Sequence, residues 1–443
     1  PRYHGPIIIA EKDRPVRIKF YNLLPTGAGG NLFLPVDTTI LGSGPGPDLT
    51  TADPDPRNPQ CGVVDKPDGC YAENRATLHL HGGLSPWISD GTPHQWVIPA
   101  DETNLYKKGV STKNVPDMPD PGDGAITFFY TNQQSARLMF YHDHAWGMTR
   151  LNVYAGGAAG YIIQDTAEGA LIAQGLIPGQ EDTIPLIIQD KTFVPSDAQL
   201  IPTDPLWDKG RWGGFGQLWA PHVYVPAQNP GDASGVNQFG RWAYGPWFWP
   251  PTNNIDYPPI ANEYYDATCD PDTTWCEPEL MPGTPFNSMG MESFHDTPVV
   301  NGTAYPTLTV EPKAYRLRIL NAANDRSFNL SLYQAVDANG VVCDANNPTP
   351  VASPSGKVCT EAPLNPAEVA AALSDPTIFP TPLDPPEKTT KGPNWIQIGN
   401  EGGFLPAPVV IPAQPTTWVN DPTVFNAGNV DQHSLLVAPA ERA

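Results

Sequence analysis

Apolar and polar positions alternate with a period of two in several short runs, separated by stretches that show no period. In residues 15–21, PVRIKFY, Val16, Ile18 and Phe20 fall on one face and Arg17, Lys19 and Tyr21 on the other. That is the signature of a half-buried strand. Residues 76–82 (ATLHLHG), 125–131 (AITFFYT) and 136–144 (ARLMFYHDH) read as further strands. A Gly-rich turn at 155–160 leads into YIIQD, 161–165. The pattern lapses over 166–181, which carries a short helical stretch, and returns at 184–193, 299–321 and 395–399. One other segment, 365–374, has helical character. The pattern predicts an all-β chain of two consecutive sandwich-like domains with a boundary near residue 170. Two long insertions interrupt it, a Trp/Gly/Pro-rich stretch at 205–260 and a second at 336–394. Loops of this kind carry recognition, although a packed aromatic collar explains the first equally well.

Composition narrows the choice. Pro 54 and Gly 40 in 443 residues exclude a helical bundle or coiled coil, because proline interrupts helices. Lys plus Arg number 25 against 47 Asp plus Glu, a net charge of −22. Nucleic acid and anionic membrane surfaces need basic patches and are poor partners for such a chain. Charged residues are only 16% of the total, so this is no charge-driven disordered tail. No window approaches the 18 or more consecutive apolar residues of a transmembrane helix. The chain begins at Pro1, with neither Met nor a basic-then-apolar leader, and a secretory leader is expected to have been removed. The cysteines form three close pairs, 61/70, 269/276 and 343/359. Six cysteines allow fifteen connectivities. Local pairing is the simplest, and it points to an oxidising compartment, whether secreted, periplasmic or cell-surface.

The histidines carry the candidate chemistry. His79/His81 and His142/His144 are two His-X-His pairs, each closing an apolar strand. Residues i and i+2 of a strand share a face, about 7 Å apart along the backbone. Two such strands meeting would gather four imidazoles around one metal-sized space, a donor set that suits Cu, Zn, Fe or Ni.

LHLHGGLSPWISDGTPHQW, 78–96, and FYHDHAWGMTRLNVYAGGAAGYIIQD, 140–165, resemble the first two copper motifs of the multicopper oxidases. The resemblance is strongest to the branch of bacterial spore-coat laccases and bilirubin oxidases. It continues through VNGTAYPTLTVEPKAYRLRILNAANDRSFNLSL, 300–332, IQIGNEGGFLP, 396–406, and SLLVAPAERA, 434–443. It implies consecutive cupredoxin-like Greek-key β-sandwich domains with long loop insertions. Domain 1 is expected at 1–165, a linker at 166–183 and domain 2 at 184–443. It further implies one-electron oxidation of a small reducing substrate (a phenol, a bilin-like tetrapyrrole or a metal ion) coupled to the reduction of oxygen to water. By the same resemblance His79 matches a type 2 copper ligand, and His81, His142 and His144 match ligands of the type 3 pair. Asp90 matches the carboxylate that helps deliver protons; on its own, in Ser-Asp-Gly-Thr, it reads as a turn residue. His94 lies outside the ligand pattern, as do His4, His222, His295 and His433. Met148 and Trp146 read as packing, and Asn301-Gly302-Thr303 as a hairpin turn rather than a glycosylation site.

Part of the family pattern has no counterpart. No cysteine is flanked by histidine, so a type 1 copper site, which needs Cys with two His, has no candidate ligands. The His-X-X-His-X-His motif of the family's third domain is also absent. The chain is therefore expected to be part of an oxidase: the start of domain 1, the end of domain 2 and all of domain 3 lie elsewhere, in the same or another chain. Alone it is expected to be inactive. A non-enzymatic two-domain copper-binding or structural protein is the alternative.

Overall fold

The structure is a computed structural model. It describes residues 3–27, 32–38, 40–50, 58–61, 69–113, 115–203, 207–224, 247–249, 260–261, 265–273, 276, 279–281, 293, 295–337, 342–343, 359–375, 378, 380–384, 389–419 and 430–443. Much of the Trp-rich insertion at 205–260 and of the one at 336–394 lies outside the described residues. Two compact units emerge, Pro1–Arg326 and Ser327–Ala443.

The first unit opens with strands β1 (Ile8–Glu11), β2 (Val16–Tyr21), β3 (His79–His81), β4 (Ala125–Tyr130) and β5 (Arg137–His142). Helix α1 (Thr149–Ala155) and strand β6 (Ala158–Gln164) follow. The chain passes back and forth between two sheets. One has the order β1-β6-β5-β3, and the other pairs β2 with β4. This Greek-key alternation builds a sandwich, with β1 parallel to β6 and the other pairs antiparallel. Leu80, Met139, Tyr161 and Ile163 from one sheet pack against Ile126, Phe128 and Tyr130 from the other, and Val16, Ile18 and Phe20 join them. Strand β2 keeps its predicted alternation, half-buried at the apolar positions and exposed at the charged ones.

Four elements differ from expectation. The strand over 76–82 shrinks to His79–His81, with Ala76 bridging separately to Val97. Helix α1 occupies a stretch to which the sequence pattern assigns no element, and β6 starts inside the Gly-rich turn expected at 155–160. The sequence pattern predicts no strand at Ile8–Glu11; the segment becomes one by pairing along β6.

Helix α2 (Thr166–Ala173) follows, capped by Asp165, whose side chain accepts from the Glu168 N–H. Strand β7 (Thr183–Phe193) then starts a further sheet, running parallel to Arg316–Asn321 and antiparallel to Thr297–Val300. Glu168 of α2 is buried between Arg316, at 2.8 Å, and Arg318, which ties the helix to this sheet. Burial lowers the Arg318 pKa, the nearby Arg316 lowers it further, and Glu168 opposes both.

Strand Thr297–Val300 turns into Thr303–Ala304 through Asn301 and Gly302, both at positive φ (49° and 81°). A two-residue hairpin loop of this twist requires that backbone, which Asn-Gly adopts readily. The Asn301 amide is engaged at both its oxygen and its nitrogen. It accepts from the Ile187 N–H and donates to the Pro185 carbonyl, both at 2.9 Å. Asn301→Ala, which removes both bonds, is expected to cost about 1–3 kcal/mol. An unchanged denaturant midpoint would show that the bonds contribute nothing.

In the second unit Phe328–Leu330 pairs with Leu435–Val437, and Trp395–Asn400 with Gly403–Ile411. A helix at Pro366–Ala372 is capped by Asn365. The three disulfides are all local, Cys61–Cys70, Cys269–Cys276 and Cys343–Cys359, as the spacing suggested. The all-β expectation holds. Among the described residues, no helix is long and apolar enough to cross a membrane.

Candidate metal centre

The antiparallel register of β3 and β5 sets His79 directly opposite His142, and His81 opposite Phe140. One face of this short ladder therefore carries three imidazoles, and His144, just past the end of β5, adds a fourth. Ligand atoms of His79, His81 and His142 lie within 4.8 Å of one another. The His79 ring centroid is 5.8 Å from that of His81, 5.2 Å from His142 and 4.9 Å from His144. His81 stacks on Phe140 at 4.5 Å, and that contact fixes its ring plane.

Outer partners settle which ring nitrogens face inward. His79 Nδ1 is 2.6 Å from the Asp90 carbonyl and His142 Nδ1 2.6 Å from the Asp143 carbonyl. A ring nitrogen facing a carbonyl must carry the proton, so in the neutral ring it is Nε2 that keeps the lone pair. His81 Nδ1 lies 3.2 Å from His142 Nε2. Burial, reinforced by the neighbouring histidines and opposed by the Asp143 backbone, pushes the His142 pKa down to about 3. His144 is lowered too, chiefly by burial. Both stay neutral at ordinary pH, the form that ligates metal. His144 Nδ1 is buried without a hydrogen-bond partner among the described residues. Inward lone pairs and an orphaned buried nitrogen make this donor set fit a metal of the imidazole-binding class.

Asp90 ends a single helical turn, Trp87–Ser89. Its carboxylate reaches to 3.5 Å from His79 Nδ1 while remaining 39% exposed. Gly91 makes this approach possible. Its φ is +69°, and a Cβ there would fall 2.0 Å from the Leu78 carbonyl. Gln95 clamps the loop, accepting from the Gly91 and Thr92 N–H groups and donating to the Ile88 carbonyl.

Two further histidines have surroundings of their own. His94 is exposed, 5.3 Å from the Trp146 ring. His295 is buried, stacked on Tyr154 at 4.4 Å with Nδ1 beside the Thr192 hydroxyl. Met148 lies in the core with Leu34, Trp96 and Leu151. Sequence reasoning missed Asp143 and Arg75, which interact with the histidine segments, and Gln95, which holds the Asp90 loop. For Asp143 a signal existed. Between two histidines that share a face, it must point the other way, inward, where a carboxylate needs partners.

No protein-family model matches the chain. The laccase of Bacillus subtilis (strain 168) is 27% identical over 331 residues, covering 74% of this chain and 42% of the relative. The laccase of Bacillus stratosphericus is 29% identical over 330 residues, covering 74% and 41%. The chain resembles multicopper oxidases. Bilirubin oxidase of Albifimbria verrucaria is 30% identical over 158 residues, 35% of this chain and 22% of that enzyme. The chain thus spans less than half the length of the relatives it matches.

Proposed function

We propose that this chain carries half of the trinuclear copper site of a laccase-like oxidase. Such an enzyme couples one-electron oxidation of a phenolic, bilin-like or metal-ion substrate to the four-electron reduction of oxygen to water. The observation that supports this reading is the cluster of four imidazoles carried by β3, β5 and His144 just beyond β5, in a chain whose relatives are laccases and a bilirubin oxidase. His79 serves the type 2 position, and His81, His142 and His144 the type 3 pair. Bound copper supplies one-electron redox chemistry there. The type 1 site and the other cluster ligands belong to a third cupredoxin domain, in the same or another chain. Residues 1–165 and 184–443 form the first two domains, joined by 166–183.

The protein's own contribution is geometric. The Asp90 carbonyl fixes the His79 tautomer and ring orientation, as outer partners of ligating histidines do. The Asp90 carboxylate, close to His79 yet open to water, can take a proton from solvent and release it inward. The three disulfides suit a secreted, periplasmic or cell-surface location.

The test is to load residues 1–443 with Cu(II) and record bound metal, the EPR and visible spectra, and oxygen uptake. Retained copper with nitrogen hyperfine coupling is expected. No oxygen uptake and no intense thiolate-to-copper band are expected, since all six cysteines are bridged. Copper lost completely on dialysis would sink the reading.

A further inference from the structure

We propose that Asp143 is a positioning residue whose carboxylate staples the two histidine-bearing segments together and so sets the spacing of the four imidazoles. This deepens the metal reading and rests on it.

The ladder between β3 and β5 has only three residue pairs and ends at His79 opposite His142. Beyond that end no further strand pairing holds the segments in register. Asp143 sits at this point, pointing away from the histidine face into the interior, where it is buried. Its Oδ1 accepts from the Thr77 N–H at 2.8 Å, two residues before His79. Its Oδ2 accepts from the Ala145 N–H at 3.0 Å, the residue after His144. One carboxylate thereby receives one backbone donor from each segment. The Asp143 N–H in turn donates to the Gly157 carbonyl at 2.9 Å, just before β6.

Two further groups hold the staple in place. The Asn152 side chain, on α1, donates to the Arg75 carbonyl at 2.8 Å and also to the Asp143 carboxylate. The Arg75 guanidinium, which interacts electrostatically with Asp143, is fixed over the Tyr71 and Trp96 rings at 4.4 and 4.9 Å. It donates to the Ala72 carbonyl at 2.9 Å and to the Gly42 carbonyl.

Only a carboxylate offers acceptors on both sides. An asparagine replaces one acceptor with an NH₂ donor, which would face the Thr77 or Ala145 N–H and break one arm of the staple.

The test compares the full chain with Asp143→Asn. The variant is expected to bind Cu(II) about ten- to a hundred-fold more weakly, the loss typical of an outer partner of metal ligands. Its copper hyperfine pattern is expected to change, with far-UV circular dichroism unchanged. Affinity and spectrum within twofold of wild type would overturn the proposal. If Asp143→Asn does not fold, hydrogen exchange of the wild-type chain decides. The Thr77 and Ala145 amides must both be strongly protected, and rapid exchange at either refutes the staple. If the wild-type chain takes up no Cu(II), the metal reading fails by itself. The imidazole ¹⁵N shifts of the metal-free chain then judge Asp143. Asp143→Asn must move resonances on both segments, His79/His81 and His142/His144. Movement on one segment only, or on neither, rejects the proposal.

Discussion

Cu(II) uptake is lost when His79 and His142 are both replaced by alanine. These two residues are cross-strand partners, and the His81 and His144 rings lie 5.8 and 4.9 Å from that of His79 and 5.4 and 5.5 Å from that of His142. Removing both leaves His81 and His144 without the pair that joins them. Loss of a mere outer partner costs about 10–100-fold in metal affinity, and two direct ligands must cost more. Copper content after dialysis measures the effect. The fold should survive, because the core under these strands is built by Leu80, Met139, Tyr161 and the facing sheet, none of which changes. A variant that keeps its copper would place the binding elsewhere on the chain.

The sandwich strands were legible because burial of one sheet face imposes a period of two. Val16, Ile18 and Phe20 show it. The His-X-His spacing was legible for the same reason, and the structure brings all four imidazoles together. What escaped depends on distant partners. Ile8–Glu11 has no alternation and becomes a strand only by running beside β6. Helix α1 is short, and its sequence, TRLNVYA, includes β-branched and aromatic residues of modest helix propensity. Its position is fixed from outside, through Asn152 to Arg75 and Tyr154 to Thr192. Asp143 meets Thr77 across 66 positions of sequence, a distance that no local pattern spans.

Tyr154 leads to the second large effect, a stability that rises with pH between about 7 and 10. Lys191 of β7 is only 1% exposed. Its ammonium group donates to the Tyr154 carbonyl in the last turn of α1 and lies 4.5 Å from the centre of the Tyr154 ring. Burial pushes its pKa from the usual 10.5 down to about 7, with the adjacent Asp190 opposing. Between those two values the unfolded chain holds a proton that the folded lysine has released. Unfolding then takes up a proton, so the folded state gains stability as pH rises through this window and loses it as pH falls back toward 7. At about 1.4 kcal/mol per pH unit the gain is on the order of 4 kcal/mol across the window. Tyr154 contributes in the opposite sense only above pH 10, because burial raises its pKa. Lys191→Met keeps the length of the side chain and removes the titration. It also leaves the Tyr154 carbonyl without this donor, a pH-independent loss of about 1–3 kcal/mol. Urea unfolding at pH 7, 8, 9 and 10 is therefore expected to give a steeper rise in stability for wild type than for Lys191→Met. The two curves should diverge as pH increases. Parallel curves would mean that Lys191 stays protonated in the folded chain, stabilised by Asp190 and the Tyr154 carbonyl more than burial destabilises it.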